Sequence, residues 1–259
     1  MGINKNQELE IIELLSQKLD AKLKKYSRET TSMPFLVKLM QDQEKVASYS
    51  FIHSLVTTLG MSVYEQISLI LVEDRCTECF RSYNIGGNIS KPQKSTIDKI
   101  IRELRNGARK ADFKSEVAEV LTADPKYGKY QKEGTKIDFY MLRDGVEHYF
   151  EIKTTKPNID IFTKTKTKLL EWVARRRQPV KVFMALPYNP YHPEPYTRFT
   201  NIGLFTQGQD LLVGKEYWDY LAGENTFEML LEIFDRVGKE YKDRISLKIQ
   251  EVANTTMNF

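Results

Sequence analysis

The stretch 136-KIDFYMLRDGVEHYFEIK-153 decides how this 259-residue chain is read. Two runs rich in aromatic and branched residues, Lys136 to Leu142 and Val146 to Thr154, flank Asp144-Gly145. Asp-Gly between such runs predicts a two-residue β-hairpin turn. With that turn Arg143 faces Val146, Leu142 faces Glu147, Tyr140 faces Tyr149 and Asp138 faces Glu151. Opposed residues hold their Cβ atoms about 4.5–5.5 Å apart on one face. Side chains two apart on a strand share a face, so Lys153 joins the two acids. The other face receives Ile137, Phe139, Met141, Val146, Phe150 and Ile152, a core face. A three-residue turn with a bulge would shift the pairing by one and send Asp138 to that apolar face.

Opposed carboxylates repel, and two neutralising partners are at hand. Lys153 can pair with one of them, or a divalent cation can bridge both. Carboxylate oxygens suit a hard ion such as Mg²⁺. The bland alternative is a surface pairing of acids and lysines, worth about 0–1 kcal/mol.

Working outward, the chain reads as helices, then strands, then helices, with no internal repeat. Leu9, Ile12, Leu15, Leu19 and Leu23 recur at helical spacing. Pro34 suits the first turn of a second helix reaching about Phe51. Ser62 and Glu65 have capping-box spacing for a third, running on to Phe80. Asn84 to Lys94 reads as a loop. Ser95 caps a fourth helix with Ile97, Ile100, Ile101 and Leu104 inside, and Gly107 ends it. After the hairpin come a basic helix from about Thr163 to Arg177, a buried strand from Val180 to Leu186 and a proline-rich loop. Two helices follow, near Gly214 to Leu221 and Thr226 to Tyr241. The plan is α/β, a mixed central sheet flanked by helices, with a helical first third. We expect one domain over 1–259: a mainly helical part over 1–115, an α/β core over 116–200 and helices over 201–259.

Composition bounds the rest. Hydrophobic residues make up 41% and charged residues 29%, ordinary for a folded domain. No apolar run has transmembrane length, and the N-terminus lacks a secretory pattern, so a cytoplasmic setting without membrane is expected. Cys76 and Cys79 are half a zinc site with no histidine pair beside them, and read as small buried hydrophobes on a helix. His148 points to the core face and reads as structural. A phosphate-binding Gly-rich loop and a Gly-x-Ser-x-Gly elbow are both absent, which argues against a nucleotide cofactor and against serine-hydrolase chemistry. Net charge is +4. From Thr163 to Lys181 seven basic residues stand against one acid, Glu171. Such a run is either a solvated face or a phosphate-contacting one.

Asp138, twelve intervening residues, then Glu151-Ile152-Lys153 resembles the PD-(D/E)xK nuclease superfamily: an acid on one strand and Glu-x-Lys on the next, followed by a helix and a strand. Ile137 stands where that pattern often has proline. More broadly the chain resembles type II restriction endonucleases, including the group that cuts GGNCC sites. The resemblance implies a restriction-endonuclease-like core and Mg²⁺-dependent hydrolysis of double-stranded DNA by a homodimer, leaving 5′-phosphate and 3′-hydroxyl ends. Asp138, Glu151 and Ile152 would bind the metal, and Lys153 would assist the attacking water. Many relatives carry a further acid on a preceding helix; Glu65 is the candidate, then Glu73. A structure-specific or repair nuclease on the same core, or a non-catalytic DNA-binding module, are the alternatives. Lys164, Lys166 and Lys168 suit DNA phosphates, which position without specifying. Base readout has three candidate regions: Arg102 to Lys114, with Arg105, Arg109 and Lys110; Asn84 to Lys94; and Tyr188 to Arg198, with Arg198 itself.

Overall fold

A computed structural model describes residues 2–27, 33–126, 128–130, 134–153, 156–197 and 203–254. The chain divides into two compact units. The sheet unit comprises Ser68–Phe227 with Met1–Gly2, and the helical unit Ile3–Ile67 with Glu228–Phe259.

The sheet unit is built on the expected hairpin. Strands β4 (Lys136–Arg143) and β5 (Val146–Ile152) pair antiparallel, with Arg143 opposite Val146 and Phe139 opposite Phe150. Asp144 and Gly145 both have positive φ, 53° and 74°, the conformation of the two-residue turn whose twist matches the strands. A bulge would have broken this register; none intervenes. Strand β6 (Lys181–Leu186) adds parallel to β5, and β7 (Leu211–Val213) parallel to β6. Strand β1 (Glu78–Asn84) pairs antiparallel with the free edge of β4. The order β1-β4-β5-β6-β7 makes a mixed sheet flanked by helices, the expected α/β class. A short pair, β2 (Asn88–Ile89) with β3 (Lys129–Tyr130), stands apart.

Helix α7 (Ile159–Arg176) carries the chain from β5 back to its parallel neighbour β6. Asn158 caps it by accepting the Ile161 N–H at 2.9 Å. Its buried side chains include Phe162, Leu169, Trp172 and Val173, which pack with Tyr140, Tyr149, Val182 and Met184 of the sheet. Helices α5 (Lys91–Arg105) and α6 (Phe113–Thr122) pack beside α7. On the other sheet face Phe150 and Phe183 meet Tyr220 of α8 (Lys215–Ala222). Both faces of the hairpin are therefore covered, where alternation alone predicted one core face.

Helix boundaries depart from expectation at several places; the single helix expected from Pro34 to about Phe51 is two helices, Pro34–Met40 and Gln43–Thr58, and α7 begins at Ile159 rather than near Thr163. The cap of α5 is Ser90, which forms a reciprocal capping box with Gln93; Ser95 lies inside the helix. Ser62 does not start a helix. Helix α3 (Gln43–Thr58) passes through a π-turn over Leu59–Val63 straight into α4 (Tyr64–Val72), so the Ser62/Glu65 capping box does not form. The helix ends well short of Phe80, and Cys79 lies on β1 with Cys76 just before it, both half-buried and free. In the helical unit, α1 (Lys5–Lys25) turns Ile11, Leu14, Leu15 and Leu23 inward while Leu9 is exposed. Helix α2 (Pro34–Met40) precedes α3, and α9 runs Thr226–Asn254, beyond the expected end at Tyr241.

Candidate active site

The hairpin brings Asp138, Glu151 and Lys153 together at the end of its ladder. The last paired residues are Phe139 and Phe150. One step further the side chain of Asp138 takes over the bridging: its Oδ2 accepts the Ile152 N–H at 2.9 Å. Lys153 Nζ lies 2.7 Å from Glu151 Oε1, 3.5 Å from Asp138 Oδ2 and 3.4 Å from the Ile152 carbonyl oxygen. Three oxygens of the two strands thus converge on one ammonium. The Glu151 side chain is 7% exposed, whereas Asp138 and Lys153 are near 30%, so the cluster opens to solvent on the Asp138 side.

The other Glu151 oxygen, Oε2, is 2.5 Å from Lys168 Nζ of α7. Lys168 also sits over the Trp172 ring at 5.3 Å. Two acids and two ammoniums leave the cluster formally neutral. Burial raises the Asp138 carboxyl above its ordinary pKa, the Glu151 charge raises it further, and Lys153 and Lys168 oppose. Burial pulls the Lys153 ammonium down, but the Glu151 and Asp138 carboxylates outweigh it and hold its pKa above the usual value.

A divalent cation fits these residues. The donors are hard oxygens, two carboxylates and one main-chain carbonyl, and they already converge on a positive charge. Among the described residues no third His, Cys, Asp or Glu joins them. Glu73 is exposed on the short turn after α4. Glu65 lies on α4, half-buried, in the helical unit.

The basic run is less of a surface than its charge suggests. Lys164 is exposed. Lys166 is fully buried, 2.6 Å from Glu116 Oε2 and 2.5 Å from Asp210 Oδ2, and cannot reach a phosphate. The helical period held the warning, because Lys166 stands on the Phe162, Leu169 and Val173 stripe. Arg175 donates to the carbonyls of Gly86 and Gly87, and Arg176 binds Glu147 and the Tyr83 and Tyr149 hydroxyls. Elsewhere Arg105 is exposed near Asp160, Arg109 is held by Glu103 and Glu119, and Lys110 is exposed. Arg198 lies outside the described residues. Lys168 was expected at phosphates; its contact with Glu151 was missed, although Thr165, Lys168 and Trp172 share an inward-facing helical spacing.

Comparison with known proteins places the chain among restriction enzymes. The type II restriction enzyme HgiEI of Herpetosiphon aurantiacus is 27% identical over 248 residues, 90% of this chain and 87% of that protein. HgiCII of the same organism is 29% identical over 214 residues, 77% and 75% of the two chains. MjaII of Methanocaldococcus jannaschii is 28% identical over 211 residues, 74% of this chain and 55% of its own length. Type II restriction endonucleases bind double-stranded DNA and generally use a divalent metal. The HinfI family of type II restriction endonucleases matches residues 3–238, and the chain belongs to that family of site-specific endonucleases.

Proposed function

We propose that this endonuclease hydrolyses both strands of double-stranded DNA at a short site, uses Mg²⁺, leaves 5′-phosphate and 3′-hydroxyl ends, and acts as a homodimer. The observation that carries the chemistry is the convergence of Asp138, Glu151 and the Ile152 carbonyl on the Lys153 ammonium. Asp138, Glu151 and the Ile152 carbonyl would hold the ion. When bound, Mg²⁺ lowers the cost of forming hydroxide from water and neutralises charge on the phosphate and leaving oxygens.

The chain supplies positioning and charge around that ion. Lys153 donates hydrogen bonds to the attacking water and to the charge that grows on the phosphoryl oxygens. The water oxygen bonds to phosphorus while the bond to the 3′ oxygen breaks, and a proton ends on that oxygen. Lys168 grips the outer oxygen of Glu151 and fixes the carboxylate plane. Exposed Lys164, Arg105 and Lys110 are offered to the DNA backbone, where contacts place the duplex without reading it. The recognised site is proposed to be of the GGNCC type, on the sequence resemblance.

The test is digestion of phage DNA with Mg²⁺, followed by run-off sequencing of the ends. Discrete fragments with one sequence at every end are expected. Glu151→Ala and Lys153→Ala are expected to lose cleavage while still binding DNA in Ca²⁺. Unchanged cutting by either variant would overturn the assignment of the site.

A further inference from the structure

We propose that the α2–α3 face of the helical unit is where a second copy of this chain docks. The case starts with α2 itself. Its sequence is Pro34-Phe35-Leu36-Val37-Lys38-Leu39-Met40, and not one of these residues is buried. Phe35 is 91% exposed and Leu39 80%. An apolar helix normally buries a stripe against its own domain; here only Leu36 and Val37 are half-buried, and Phe35, Leu39 and Met40 stand open.

The patch continues onto α3. Tyr49, Ile52 and Val56 are spaced three and four apart, so they share one side of the helix, and each is 40–54% exposed. Met40 and Tyr49 line one apolar cleft between the two helices. Summed over Phe35, Leu39, Met40, Tyr49, Ile52 and Val56, the open apolar surface is roughly 600–700 Å², near the ~800 Å² each partner gives to a stable interface. Monomers rarely leave a patch of that size to water.

Charge decides the kind of partner. The two helices carry Lys38 and Lys45 against Glu44, with Asp42 capping α3 between them, and Lys45 is paired with Asp42 at 2.9 Å. A face with no excess cation has nothing to offer a DNA backbone, whose binding is driven by lysine and arginine. Aromatic and aliphatic side chains with few charges are the make-up of an interface core. The occupant is a second copy because each chain presents one Asp138/Glu151 cluster and a duplex has two strands to cut. Two copies on a two-fold axis match the symmetry of the DNA backbone, and such an axis buries the same patch on both. This inference rests on the homodimer reading above and supplies its surface.

Sedimentation velocity of the full chain without DNA tests it, at about 1 and 20 µM. The wild type should sediment as a dimer at the higher concentration. Phe35→Asp with Leu39→Asp should weaken the dimer by roughly 100-fold or more, as loss of two buried anchors does. These side chains are exposed within one copy, so circular dichroism and the melting temperature of the dissociated variant should stay those of a folded chain. Leu231→Asp, at an exposed leucine of α9, should leave the dimer intact. A wild type that is monomeric at 20 µM overturns the proposal, as does a double variant that still dimerises or dissociation by Leu231→Asp alone. The readout involves no cleavage. A dimer that cuts no DNA would sink the catalytic reading and spare this one.

Discussion

Two lysines on one helix, two residues apart, have opposite surroundings. Lys166 is enclosed with Glu116 and Asp210. Removing its charge leaves two buried carboxylates with only backbone N–H partners and no cation, so Lys166→Met should cost about 3–5 kcal/mol of stability, read from urea unfolding. Lys168 reaches the half-open cluster and holds Glu151. If Glu151 holds the ion as proposed, loss of Lys168 should spare the fold and lower cleavage by about 10–100-fold, the usual cost of losing a residue that orients a metal ligand. Lys168→Arg should recover part of that, and a higher Mg²⁺ requirement in Lys168→Met would separate misplacement from collapse. His148 adds a pH effect. Burial is the main cause that pushes its pKa down to about 4, with Arg143 and Lys181 adding to it. The native imidazole is therefore neutral while the unfolded one titrates near 6.5. Its contribution is complete above pH 6.5 and is lost as pH falls toward 4. The His148 contribution alone should fall by about 2 kcal/mol between pH 7 and pH 5, opposed by Asp210, whose carboxyl burial raises to about 6; the difference between the wild-type and His148→Gln stability curves over that range isolates it.

The hairpin is the element where local sequence and tertiary structure agree. Asp144-Gly145 predicted the turn, the turn set the register, and the register put Asp138, Glu151 and Lys153 on one face. Gly145 has φ +74° with open space where a Cβ would stand, so Gly145→Ala should cost about 1 kcal/mol through backbone strain alone. Thermal or urea unfolding checks it. Elements that depend on distant partners were harder to read. Strand β1 alternates exposed and half-buried residues, and only pairing with β4 makes Glu78–Asn84 extended. A three-residue strand such as β7 carries too few positions for any period. Ser90 outcompetes Ser95 as a cap because Gln93 stands three residues after it and closes the reciprocal bonds, while Pro92 suits the first turn. The Ser62-x-x-Glu65 spacing failed for the converse reason: the residues before it are already helical, so no N-terminus exists to cap.

For the whole molecule, charge counted along the chain overstates charge available at the surface. Of the seven cations between Thr163 and Lys181, Lys166, Lys168, Arg175 and Arg176 are engaged internally. The salt dependence of DNA binding should therefore be shallower than the run implies. Lys164→Ala should reduce the slope of log K against log salt by about 1. Titrations in Ca²⁺ at several salt concentrations measure this. The family match covers residues 3–238 and so includes parts of both compact units.

On the proposed role of Asp138, the bond from the Ile152 amide to its carboxylate governs how an inactive variant should be made. Alanine at 138 would strand that amide at the rim of the sheet, and lost cutting would be confounded with a frayed strand. Asparagine keeps an oxygen where the amide points while discarding the negative charge. Asp138→Asn is the substitution for trapping intact DNA on the protein, and its melting temperature should exceed that of Asp138→Ala.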